Sequence, residues 1–416
     1  QPFVRSALTY ACLAALAAPA SGADTLAEAL TGGKVSANLR YRYEWVDQEG
    51  VAEKAGASTL RTQLGYTTGE YHGFGGFVQF EDVRVIGNER YNSTINGLTP
   101  YPVVADPADT EINQAYLSLK AIPGTTLKYG RQVIIYDNHR FIGNVGWRQN
   151  EQTYDAFSLV NSSLPSTVIS FAHVDNANRI FSEKHPTLSD VEMNGELLNV
   201  AYKGLKAGAL VGYGYFLDFE PGQPFPITAS NKTLGVRFDG SYPLGGTKLL
   251  YTAEYAKQSD YKDGASTVDA DYGYAMLGID LGGVQIKFNY ELLSGDGVYG
   301  FATPFATLHA FNGWADKFLT TPKDGIKDAF ISVGGAWLGV NLLAVYHDYS
   351  SDHLGYRYGT EWNALASKKL DKNLTLTAKY AAYNGDTNSL NQTRNPASAA
   401  LARDIDKVWL QADWQF

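Results

Sequence analysis

Lys34-Val35-Ser36-Ala37-Asn38-Leu39-Arg40-Tyr41-Arg42-Tyr43-Glu44-Trp45-Val46 is the stretch whose reading decides the fold. Arg40, Arg42 and Glu44 share one parity, while Leu39, Tyr41, Tyr43 and Trp45 share the other. An extended strand puts alternate side chains on opposite faces, whereas a helix would scatter these residues around its axis. The same alternation recurs at Leu60 to Thr68, Leu234 to Ser241, Lys248 to Ala256, Val284 to Leu292 and Leu374 to Tyr380. In each, aromatic and aliphatic residues take one parity and charges or amides the other.

Extended to the whole chain, this pattern predicts strands near 34–46, 58–70, 73–85, 111–121, 125–135, 150–160, 166–175, 194–203 and 206–218. Nine more fall near 230–242, 246–258, 270–281, 284–294, 326–338, 339–349, 356–369, 372–383 and 404–416, eighteen in all. Links such as Tyr71-His72, Gly204-Leu205, Gly282-Gly283 and Leu338-Gly339 are short, and they alternate with longer ones such as Ile86 to Thr110 and Gly295 to Gly325. A soluble sandwich has no reason to sort loop length by parity. An up-and-down transmembrane barrel, with short periplasmic turns and long extracellular loops, does so by construction.

Composition agrees with this reading. The 416 residues carry 34 Lys+Arg against 43 Asp+Glu, a formal charge of -9 that argues against a nucleic-acid binder. Charged residues are only 19% of the chain, while Gly (42) and Tyr (28) are abundant, so an ordered β structure fits better than a disordered chain. Past Ala23 no apolar run reaches the length of a membrane helix; the longest candidate, Val333 to Tyr346, is interrupted by Asn341. A closed barrel is the other structure that satisfies every backbone polar group in lipid. The chain ends Val408-Trp409-Leu410-Gln411-Ala412-Asp413-Trp414-Gln415-Phe416, an alternating strand with a terminal aromatic, as outer-membrane barrels have.

Residues 1–23 read as a signal peptide: Arg5, an apolar run from Ala7 to Ala18, then small residues at Ser21 and Ala23, with cleavage expected after Ala23. The single cysteine, Cys12, lies in that segment, so the mature chain has no disulfide and no Cys-based metal motif. Residues 24–416 are then one barrel domain in the outer membrane of a Gram-negative bacterium, with outer-membrane lipid as its surroundings.

Eighteen strands enclose more space than side chains fill, so the inward parity should be polar and line an aqueous path. The inward basic residues are Arg40, Arg42, Arg61, Lys120, Arg237, Lys248, Lys287, Arg357, Lys379 and Lys407; the inward acids are Glu44, Glu81, Asp239, Glu254, Glu291, Glu361 and Asp413. This excess of positive charge suggests a mild preference for anions or polar neutral solutes. Pairing of these charges across strands is the competing reading, with weak selectivity. Two connections are too apolar for plain solvated loops. Gly295 to Gly325, with His309, Trp314, Asp316 and Lys317, should fold a short helix into the barrel mouth, and Tyr136 to Glu151, with Asn138, Arg140, Trp147 and Arg148, should form another part of the constriction.

These stretches resemble the alginate-export family of outer-membrane barrels. The likeness rests on Gly130-Arg131-Gln132, on Asp137-Asn138-His139-Arg140-Phe141-Ile142-Gly143, on Trp147-Arg148-Gln149-Asn150-Glu151-Gln152-Thr153-Tyr154-Asp155, and on the block from Thr303 to Leu319. The resemblance implies a family pore and marks Arg131 and Asp155 as pore residues, although Arg131 takes the opposite parity to Lys128 and Gln132 unless a bulge intervenes. A dedicated exporter of an anionic polysaccharide such as alginate would need a strongly basic lumen, from which the mixed charge departs. A passive porin is therefore the first expectation and an exporter the second.

Enzymatic chemistry is not expected. The seven histidines show no paired metal spacing, and no G-x-S-x-G nucleophile elbow occurs. No catalytic residue, metal or cofactor is assigned, no nucleic-acid partner is implied, and the reading leaves open whether barrels associate as homo-oligomers.

Overall fold

The computed structural model describes residues 22–387 and 396–416. The expected signal peptide therefore lies, apart from Gly22 and Ala23, outside the described residues. A six-residue helix, α1 (Leu26–Thr31), precedes the first strand and starts with a capping box in which Thr25 and Glu28 satisfy each other's backbone.

The first strands are β1 (Lys34–Gln48), β2 (Ala55–Thr67), β3 (Phe74–Val85), β4 (Thr110–Leu119), β5 (Thr125–Gln132) and β6 (Thr153–Asn161). There follow β7 (Thr167–Asn178), β8 (Asp190–Leu205), β9 (Gly208–Phe219), β10 (Asn231–Leu244), β11 (Thr247–Asp260) and β12 (Asp269–Asp280). The last six are β13 (Val284–Leu293), β14 (Ile326–Trp337), β15 (Val340–Ser350), β16 (Arg357–Lys369), β17 (Leu374–Gly385) and β18 (Ile405–Gln415), with a short helix α2 (Pro396–Leu401) between the final two. Every strand pairs antiparallel with its neighbours in sequence, and β1 pairs with both β2 and β18, so the eighteen-stranded sheet closes on itself. The carboxy-terminal strand thus seals the barrel, with Phe416 exchanging backbone hydrogen bonds with Ala37.

Outward positions carry exposed large apolar residues such as Leu64, Leu117, Leu277, Phe288 and Trp362, the belt that a lipid-facing surface requires. Trp337 and Tyr242, both exposed, sit at the ends of strands beside short turns, as interfacial aromatics do. Among the described residues no helix is long and apolar enough to cross a membrane; the strands do so. The turn between β14 and β15 puts both Leu338 and Gly339 at positive φ, the two-residue geometry whose twist matches the flanking strands.

The strand boundaries follow the sequence expectation closely, with a few instructive departures. β5 stops at Gln132, three residues early, because the chain there leaves the wall for the lumen. The segment from Thr303 to Leu319 does not form a short helix beyond a single 3-10 turn at Leu308–Ala310. Asn312, Gly313 and Asp316 all take positive φ, which breaks any helical run.

Candidate functional site

The link from β5 to β6 folds inside the barrel. Val133 gives its N–H to the Gln114 side chain, after which positive φ at Asp137, His139 and Val145 turns the chain back on itself. Asn138 accepts the Arg140 N–H to fix the turn. The link from β13 to β14 comes to meet it: Ile142 and Phe305 form a parallel bridge, and Gly143 N–H donates to the Phe305 carbonyl at 2.9 Å. A Cβ on Gly143 would strike the Thr307 hydroxyl, so a glycine is required at this crossing. Phe141 anchors the first loop in a ring cluster with Tyr213, Tyr215, Tyr272 and Phe301.

Charges lock both loops to the wall. Arg148 pairs with Glu44 of β1 at 3.0 Å and with Asp316 of the second loop at 3.2 Å. Its guanidinium also lies 3.7 Å from Asp106, which the link between β3 and β4 brings into the lumen. Asp316 further accepts from Lys407 of β18 and from His309, both at 2.7 Å. Lys407, Arg148 and the hydrogen bond from His309 hold the Asp316 carboxyl well below the usual carboxylate range despite its burial. Arg140 pairs with Glu291 of β13 at 2.8 Å and donates to Asn312 at 3.0 Å. Glu361 of β16 accepts the Ala315 N–H at 2.8 Å.

Aromatic rings fill the space between these pairs. Trp147 stacks on His309 at 4.4 Å with planes 3° apart, and the Arg42 guanidinium lies 4.0 Å from the Trp147 ring centre. Lys379 of β17 places its ammonium 3.8 Å from Trp147 and 4.0 Å from Trp314. Lys317 reaches α2, donating to the Ala400 carbonyl at 2.9 Å, and burial lowers its pKa to about 8.

A second set of ion pairs lies along the wall. Arg40 pairs with Asp413 at 2.7 Å and donates to the Gly146 carbonyl. Arg61 takes Asn38 and Glu151 as partners, with Glu81 at 3.9 Å. Arg237 bridges Asp239 and Glu254. Lys248 and Lys287 share the inward parity of Glu254 and Glu291 on their strands.

Four of the expected lumen residues lie elsewhere. Lys120 falls just past β4 and pairs with Glu70 beside the β2–β3 turn, at the periplasmic rim. Arg357 pairs with Asp348 on the outward parity, because a register shift at Tyr349/Ser350 turns the start of β16 over. Arg131 and Asp155 are cross-strand partners joined at 2.9 Å, on the same parity as the exposed Tyr129 and Phe157. No bulge intervenes in β5, so the alternation that sends Gln132 inward sends Arg131 outward. There it also meets Glu183, in an acid-rich cavity of about 730 Å³ that includes Glu111 and Arg179.

Asp106 escapes sequence reading altogether. It lies in a loop with no alternation to set its direction, yet it is fully buried, receiving the Gln149 N–H at 2.9 Å and lying 3.8 Å from Arg42. Asp328 and His347, paired at 2.9 Å beneath Asn312, sit on strands whose alternation could have revealed them.

A sequence model of the alginate-export family matches residues 33–303, well over half the chain. This protein belongs to the alginate-export family. Its fold is shared with Acinetobacter baumannii OccAB2 (TM-score 0.71, 16% identity, over 94% of this chain and 99% of that one). It is also shared with Pseudomonas aeruginosa OpdK with vanillate (TM-score 0.70, 12% identity, 93% and 99%) and with Pseudomonas aeruginosa OccK5 (OpdH) (TM-score 0.66, 14% identity, 93% and 99%). No curated protein matches the sequence. A closed barrel of eighteen strands with an apolar belt places this member of the family in the Gram-negative outer membrane.

Proposed function

We propose that this barrel is a passive channel for small polar or anionic solutes, with its selectivity set where the two inward loops meet the wall. The observation that carries this reading is the constriction: a polar lumen narrowed by loops from β5–β6 and β13–β14 that are ion-paired to β1, β13 and β18. OpdK has been solved with vanillate, a small aromatic carboxylate, which supports a solute of that size on the same fold. No covalent step is required of any residue in the lumen.

Export of an anionic polysaccharide is the second reading, favoured by the family to which the chain belongs. It needs a continuous basic track, because a polyanion must exchange counter-ions along its whole length. Here Arg42, Arg61, Arg140 and Arg148 each have a carboxylate within 4 Å, so little uncompensated positive charge faces the path. Planar-bilayer recording under a salt gradient, paired with liposome swelling in small solutes and in oligouronates, tests the choice. Conductance with uptake of small carboxylates and exclusion of oligouronates is expected. Faster entry of oligouronates than of small carboxylates would overturn it.

A further inference from the structure

Lys379 and His309 meet nitrogen to nitrogen, Nζ to Nε2 at 2.7 Å. A contact this short is a hydrogen bond only if one of the two nitrogens offers a lone pair. His309 Nδ1 lies 2.7 Å from Asp316 Oδ1, so the ring proton belongs on Nδ1 and Nε2 accepts from the lysine. The pair therefore shares one fewer proton than the two groups carry when apart in acid.

This contact lies where three elements converge. Lys379 comes from β17; His309, Trp314 and Asp316 come from the β13–β14 loop; Trp147, stacked on His309, comes from the β5–β6 loop. The ammonium also lies 5.3 Å from Trp409 of β18, which closes the box. The other charged groups around the imidazole are Arg148 of the β5–β6 loop, Arg42 and Glu44 of β1 and Lys407 of β18. Adding a proton to Nε2 sets two N–H groups against each other inside a ring of three further cations.

Resting on the channel reading above, we propose that Lys379 and His309 are positioning residues that form a one-proton latch, holding both constriction loops on the wall at neutral pH and releasing them in acid. The sign follows from linkage. Burial and the Lys379 charge keep the His309 imidazole neutral well below its ordinary range, while a released His309 titrates near its usual pKa of about 6.5. The latched state is most favoured above that value, and its equilibrium constant over the released state falls up to about tenfold for each pH unit below it.

The test is single-channel recording of the reconstituted protein between about pH 7.5 and about pH 5, beside 15N-histidine NMR of the same preparation, with the His309 signal identified by its loss in His309→Gln. The expected result is a conductance or open occupancy that rises about tenfold in acid, a rise absent from Lys379→Met and His309→Gln, and the signal of an unprotonated Nε2 for His309 that persists below pH 6.5. A wild-type pH profile retained in both variants would overturn the latch. So would a His309 that titrates like a free imidazole. A persistent unprotonated Nε2 signal with no current at any pH would leave the latch in place and remove the channel reading instead.

Discussion

The two ends of the lumen use the same residue types in opposite ways. In the layer around Trp147, the side chains of Arg42, Arg148, Glu44 and Asp106 are no more than about a tenth exposed and each charge touches at least one opposite charge. Toward the periplasmic ends, Asp239 is 41% exposed beside Arg237, and Lys248 is exposed. Charge in the first region fixes loops; charge in the second faces water. The difference is one of desolvation, since a buried pair broken on one side leaves its partner uncompensated, whereas an exposed one is resolvated.

Substitutions can break that contrast. The largest effect is expected of Arg148→Met, which leaves Glu44, Asp106 and Asp316 short of a shared cation and should cost about 3–5 kcal/mol. The heat-modifiability midpoint on gels should fall and the unitary conductance rise; an unchanged transition would show that the loops are held by packing alone. Gly313→Val comes next. Gly313 has φ +87, and a Cβ there would strike Glu361 Oε2 and the Tyr349 hydroxyl, so strain of about 1–3 kcal/mol should displace the loop tip. Current noise should increase, and a Gly313→Val trace as quiet as that of the wild type would show that the loop tip accommodates the side chain.

Smaller effects are expected where water reaches the charge. Arg40→Gln leaves Asp413 with its hydrogen bonds from Asn38 and Gln411 but without its paired cation, and should move the reversal potential toward cations with a smaller loss of stability than Arg148→Met. A barrel that fails to fold would place Arg40 with the buried set. The smallest effect belongs to Arg131→Gln. With Arg131 on the outward parity, ion selectivity should not change, and a shift as large as that of Arg40→Gln would return it to the lumen.

The barrel was legible because its signal is local and periodic. Lys34 to Val46 and Val408 to Phe416 alternate so regularly that their faces, and their meeting in the closed barrel, follow from period two and from loop lengths. The inward charges of β1, β2, β10, β11 and β13 were readable for the same reason. Arg357 was misplaced because a register shift is one residue wide and reverses everything beyond it. Arg131 and Asp155 were misplaced because a family motif marks a segment, while parity decides the face.

By itself, then, the sequence determined the strands, their number, their order and the lipid-facing belt, all of which depend on residues a few positions apart. Tertiary structure alone decided how the loops fill the lumen. Asp106, Trp147, His309 and Lys379 are far apart along the chain, and no periodicity directs the loop members. They meet because eighteen strands enclose a polar space too large for their own side chains, and the loops that enter it must find a partner for every charge they bury.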